Sequence, residues 1–176
     1  MWQKAGKIAI IAGAGVLLAA QLIRPNRDNP FSDPASAFDA VVDPPRQLSA
    51  ALQRSCGDCH SNETVWPWYS NIAPVSWLVA YDVKEGRARL NLSEWNRFGP
   101  NMSRSRVLDM CDEVSAGKMP LPAFTWIHPE ARLNNTEIAL LCSLPGTRTV
   151  RNREFGLIAA SSQAKELTHY GNAEVE

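Results

Sequence analysis

Apolar positions along the chain form one long block followed by several stripes at helical spacing. The block runs from Ile8 to Ala20 without a charge, follows Lys4 and Lys7, and continues through Leu22 and Ile23 to Arg24-Pro25. A helix apolar on all sides suits a membrane or an export signal better than a core, where one face suffices. Trp2 to Ile23 is 22 residues, about 33 Å of helix, enough to cross a hydrocarbon core. The best small-x-small cleavage site, Leu18-Ala19-Ala20, begins with a bulky residue. An uncleaved single-pass helix in the inner membrane is therefore expected ahead of a cleaved signal, with the remainder exported to the periplasm. Lys4 and Lys7 against Arg24 and Arg27 bias the orientation only weakly.

Residues 25–43 hold Pro25, Pro30 and Pro34 among Asp and Ser and lack helical periodicity, which predicts a tether. Asp43 before Pro44-Pro45 predicts an N-cap with proline in the first turn, and Leu48, Ala51, Leu52 and Ser55 then share one face of a helix that runs into Cys56. A second helix opens at Pro74, carries Val75, Leu78, Val79 and Val83, and ends near Gly86. A third opens at Pro100, carries Val107, Met110, Cys111 and Val114, and stops at Gly117. Asn134 and Glu137 form a capping-box start for a last helix with Ile138, Leu141 and Cys142. Proline keeps Trp66-Pro67-Trp68-Tyr69 out of a helix, so these aromatics are expected on a loop against a cofactor or the core. The predicted class is all-α, with a membrane segment at 1–24, a tether at 25–43, a domain at 44–146 and an extension at 147–176.

Composition narrows the function. The 176 residues, 45% hydrophobic and 20% charged, fit one globular domain with an anchor or tail. Lys and Arg number 18 against 18 Asp and Glu, which excludes the basic footprint of a nucleic-acid binder. Without residues 1–24 the balance is 15 basic to 18 acidic, so the exported part is mildly acidic.

Cys56-Gly57-Asp58-Cys59-His60 carries the chemistry. Two thiols separated by two residues suit the two vinyl groups of one haem, and the histidine that follows ligates the iron from the same face. A disulfide oxidoreductase wants a β-α-β pattern and zinc a second ligand pair, and neither is present in the pattern. One motif implies one haem c with its iron. Candidates for the other axial position are Met102, Met110, Met119, His128 and His169. Met110 reads as core and Met102 as a first-turn packing residue. Met119 lies past the helix stop in Gly117-Lys118-Met119-Pro120-Leu121-Pro122, where prolines stiffen a loop, and is preferred. His128 is its rival, and His169 falls in the polar tail.

These residues, with Asn62-x-Thr64, Trp66-Pro67-Trp68-Tyr69-Ser70, Glu85-Gly86-Arg87, Asn91-x-Ser93, Met119-Pro120-Leu121, His128-Pro129 and Ala131-x-Leu133, resemble the bacterial haem-binding domain family of c-type cytochromes over about residues 39–145. The resemblance implies a helical cytochrome c-like fold, periplasmic export, thioether attachment at Cys56 and Cys59, His60 as proximal ligand and Met119 as the methionine of the family's M-P motif. Leu144-Pro145-Gly146 stands where the family tends to close with Trp. Arg87 and Arg89 read as solvated rather than as propionate partners. Cys111 and Cys142 divide evenly between a disulfide and two buried thiols. The four N-x-S/T sequons at Asn62, Asn91, Asn101 and Asn134 read as incidental. The expected protein is a membrane-tethered mono-haem electron carrier, not an enzyme, serving redox partner proteins. A five-coordinate haem sensor or peroxidase-like enzyme, and a structural haem subunit of a respiratory complex, are the alternatives.

Overall fold

A computed structural model describes residues 2–144 of the chain. The expected C-terminal extension, including His169, lies outside the described residues. Those residues form helices and turns with no strand among them, an all-α fold of seven α-helices and four short 3-10 segments. They divide into two compact units, one of residues up to Arg97 with Pro129–Ala131, the other of Phe98–His128 and the chain from Arg132.

The first unit opens with helix α1, Trp2–Ala20. Its side chains Ile8, Ile10, Ile11, Val16 and Leu18 are exposed. The 22-residue span expected from the sequence is not found: among the described residues no helix is long and apolar enough to cross a membrane. The helix stops early because the residues meant to extend it are tied elsewhere. The Gln21 amide accepts from Ala73 N at 2.9 Å and donates to Ala73 O at 3.1 Å, and Trp77 Nε1 donates to Ile23 O at 2.8 Å.

Residues 25–43 differ from a free tether. Asp33 caps a 3-10 turn at Pro34–Ser36, and helix α2, Phe38–Val42, buries Phe38 edge-on against Trp95 at 4.7 Å between ring centroids. Asp43 does not cap the next helix. It closes α2 in the left-handed region at φ 50°, with its N–H on Asp39 O. Helix α3, Arg46–His60, starts after Pro45 and buries Leu48, Ala51, Leu52 and Ser55, the face expected from its sequence. Helix α4, Val75–Arg89, runs past Gly86 and buries Ser76, Val83 and Gly86, leaving Val75 and Leu78 exposed. The turn Pro129–Ala131 packs on α3 through buried Ala131.

In the second unit, helix α5, Pro100–Ser115, buries Val107, Met110, Cys111 and Val114. Helix α6, Pro122–Ile127, and helix α7, Asn135–Cys142, complete it, and α7 begins in a full capping box, Asn134 Oδ1 accepting from Glu137 N at 3.0 Å and Asn134 N donating to Glu137 Oε2 at 2.9 Å. A disulfide joins Cys111 on α5 to Cys142 on α7. It closes a loop of 32 residues counting both cysteines, from a sequence separation of 31. Replacing both cysteines with alanine removes about 3–4 kcal/mol of stability in the chain-entropy account. Urea unfolding of the double variant, with reductant added to the wild type, should give the same lowered midpoint.

Candidate functional site: the end of helix α3

Cys56, Cys59 and His60 occupy the last turns of α3 at spacings of three and four, which places them on one face. Neither thiol is in a disulfide. Desolvation pushes the Cys56 thiol up to about 12, helped by neighbouring Cys59 and opposed by Arg54. Desolvation with Asp82 and Asp58 raises Cys59 to about 11, and Arg87 opposes it. Both sulfurs are therefore neutral thiols.

His60 is held in one tautomer. Its Nδ1 lies 3.0 Å from Leu90 O. A carbonyl only accepts, so the proton sits on Nδ1 and Nε2 keeps its lone pair, the form a metal-ligating histidine takes. Burial lowers the pKa of the ring, and the Leu90 and Gly86 carbonyls oppose this by a smaller amount.

Helix α4 reaches the site through Gly86. A Cβ there would overlap Cys59 O and stand 3.0 Å from Cys59 C, so only glycine allows the two helix backbones to touch. Arg87, expected to be solvated, instead binds the loop that follows the motif: Nε donates to Ser61 O at 2.7 Å and Nη2 to Thr64 Oγ1 at 2.8 Å. Its Nη1 and Nη2 also donate to Asp28 O at 3.0 Å and Asn29 Oδ1 at 2.8 Å. Thr64 Oγ1 in turn donates to Asp58 O at 2.7 Å, and Val65 N to Asp58 Oδ1 at 3.0 Å. Arg89 remains exposed beside Glu85, 3.9 Å away.

The aromatic loop is only partly a wall of this site. Trp68 is exposed and meets Tyr69 edge-on at 5.8 Å. The Tyr69 phenol is raised chiefly by burial and further by Asp58 and Cys59, which places it beside the motif. Asn62 and Asn91 are buried, so those two sequons serve the interior.

Met119 and His128 belong to the second unit. The end of α5 fixes the Met119 backbone: Gly117 at φ 68° donates to Val114 O, and Lys118 N donates to Glu113 O at 3.0 Å, a Schellman motif. Met119 N also reaches Glu113 O at 3.2 Å, and its side chain is half-buried. His128 ends α6, donates its N–H to Phe124 O at 2.8 Å and stacks on the Phe124 ring at 4.7 Å. Met110 is core, and Met102 is exposed in the first turn of α5.

Two thiols outside any disulfide thus stand beside a histidine whose Nδ1 is held by Leu90 O, on a helical scaffold. The sequence matches the haem-binding domain family over residues 15–144, and the chain belongs to that family. No curated protein and no solved structure matches it. The residues fit haem, because His60 presents the correct tautomer for iron and Gly86 lets α4 lie against the motif without covering it with a side chain.

Gly86 and Arg87 escaped the sequence reading as parts of the site. The tripeptide Glu85-Gly86-Arg87 was visible, but a glycine inside a helical pattern reads as a stop unless the neighbouring backbone is known. Gly86→Ala should lower stability by about 1–3 kcal/mol despite the better helix propensity of alanine, because a backbone carbonyl cannot yield. Thermal unfolding and the yield of haem-loaded protein should fall together.

Proposed function

We propose that the protein is a mono-haem c-type cytochrome that passes single electrons between redox partner proteins in the periplasm. The observation that carries the reading is the end of α3, where two free thiols stand beside His60 with its Nδ1–H committed to Leu90 O. Cys56 and Cys59 are the thiols for covalent attachment, and His60 Nε2 is the proximal ligand. Haem held there supplies an iron that exchanges one electron between Fe(III) and Fe(II). Met119 is the distal ligand: its loop is anchored by the α5 cap and bounded by prolines, and a thioether raises the potential relative to a second histidine. With His60 and Met119 on both axial positions no place remains for a substrate, which favours an electron carrier over an enzyme.

Export and association with the inner membrane are supported by α1. Lys4 and Lys7 precede its uncharged run, and among the described residues its side chains Ile8, Ile10, Ile11, Val16 and Leu18 are exposed. Just beyond it, Arg24, Lys84 and Arg87 line a groove of about 730 Å³ with Trp66, Trp77 and Tyr81. Cations mixed with Trp and Tyr suit a lipid–water boundary.

Pyridine-haemochrome spectroscopy of the exported full-length protein should find one haem per chain that resists extraction, and C56A/C59A should abolish it. Extractable haem in the wild type would sink the c-type reading. Met119→Ala should remove the near-infrared iron–thioether band and open the ferrous protein to rapid carbon monoxide binding, while His128→Ala leaves both as in wild type. A spectrum insensitive to Met119→Ala would instead support a five-coordinate sensor or peroxidase-like protein.

A further inference from the structure

We propose that Asn91, with Asn62 and Ser93, is a positioning clamp that holds the Leu90 carbonyl against His60 Nδ1 and thereby sets the redox balance of the iron that His60 ligates. The inference rests on the cytochrome reading above and deepens it.

Leu90 is the C-cap of α4, extended, with its N–H on Gly86 O. Beyond a helix end the chain is free to turn, and nothing in a leucine aims its own carbonyl. The next residue supplies the aim. Asn91 Nδ2 donates to Asn62 Oδ1 at 2.7 Å, Asn91 Oδ1 accepts from Ser93 N at 3.0 Å, and Ser93 Oγ accepts from Asn62 N at 3.0 Å. The three residues form a closed ring. They are 2%, 3% and 5% exposed for Asn62, Asn91 and Ser93, so water offers the ring no substitute partners. Asn62 is braced further by Nδ2 bonds to Phe31 O at 3.0 Å and Glu94 Oε1 at 3.1 Å.

The ring joins the two sides of one hydrogen bond. Asn62 lies two residues after His60, and Asn91 directly follows Leu90, whose oxygen receives the His60 proton. At position 91 the side chain donates to Asn62 and accepts from Ser93 through two separate atoms, Nδ2 and Oδ1, an arrangement the planar amide provides. A histidine that donates its distal N–H to a carbonyl is a more basic ligand. A more basic ligand favours Fe(III) over Fe(II). Loosening the ring weakens that donation and favours the ferrous state.

The test uses the haem-loaded full-length protein, with Asn91→Ala to open the ring and Ser93→Ala as the gentler change should the first fail to fold. Redox titration should show each variant shifted toward the ferrous form, by about 2- to 10-fold in the ferrous-to-ferric ratio at a given solution potential, the size of one ordinary hydrogen bond. Deuterium exchange of His60 Nδ1–H, followed by NMR, should accelerate in the same variants. Val107→Ala, a change at a buried position of α5 in the other unit, should lower the thermal midpoint without moving either readout. Variants that lose stability but keep the wild-type potential and exchange rate would overturn the proposal and leave the ring a purely structural feature. A wild type without covalent haem would overturn the cytochrome reading itself, a different result from a loaded wild type whose variants do not respond.

Discussion

The touching of two helix backbones, α3 at Cys59 and α4 at Gly86, is the constraint on which the haem-binding unit depends. A side chain of any size at Gly86 would separate the helices. With the spacing fixed, Arg87, one residue on, reaches the loop after His60, and Leu90, four residues on, brings its carbonyl to His60 Nδ1. The position, tautomer and surroundings of His60 thus follow from one close approach. Hydrophobic burial supplies the force that presses the helices together, through Leu48, Leu52, Val83 and the Phe38–Trp95 pair. Glycine decides how near they come.

The polar interior is unusual in its concentration. Ser61, Asn62, Thr64, Asn91 and Ser93 are all buried within the two segments that follow α3 and α4. Buried polar groups that satisfy one another cost little and specify a single arrangement, whereas apolar packing tolerates small slips. A slip of a few tenths of an ångström would move the His60 ring off Leu90 O, so the accuracy resides beside the candidate site.

Local signals made much of this legible in the sequence. The Cys56–His60 pentapeptide marks the candidate site, the Pro100 start and Gly117 stop bound α5, and Asn134 with Glu137 announces α7. Signals that depend on distant partners were silent or misleading. Asp43 looks like an N-cap from its neighbours, but the short helix before it claims the residue at its C-terminus. Residues 25–43 look like a linker because their only buried aromatic, Phe38, has its partner 57 positions away at Trp95. Arg87 looks solvated because two of its acceptors are backbone oxygens and the other two belong to the neutral side chains of Asn29 and Thr64, so no carboxylate marks its partners. The buried asparagines stand out in the sequence as sequons and as parts of the family's motifs, but not as a hydrogen-bonded ring, since the same three letters that mark a glycan also supply an amide and a hydroxyl in register. Cys111 and Cys142 could not be paired without knowing that α5 and α7 pack together.

The docking of residues 21–29 through Gln21, Ile23, Asp28 and Asn29 limits how far the chain can swing from the end of α1. A free coil of the 19 residues from 25 to 43 would let a domain wander about 24 Å from its point of attachment. Here that slack is taken up against α4 and Trp95, and the histidine face stays at a fixed height above the end of α1. On the proposed electron-carrier reading, such a short stem would select partners by their own geometry, in favour of a protein whose redox centre lies at matching height or which diffuses freely to it.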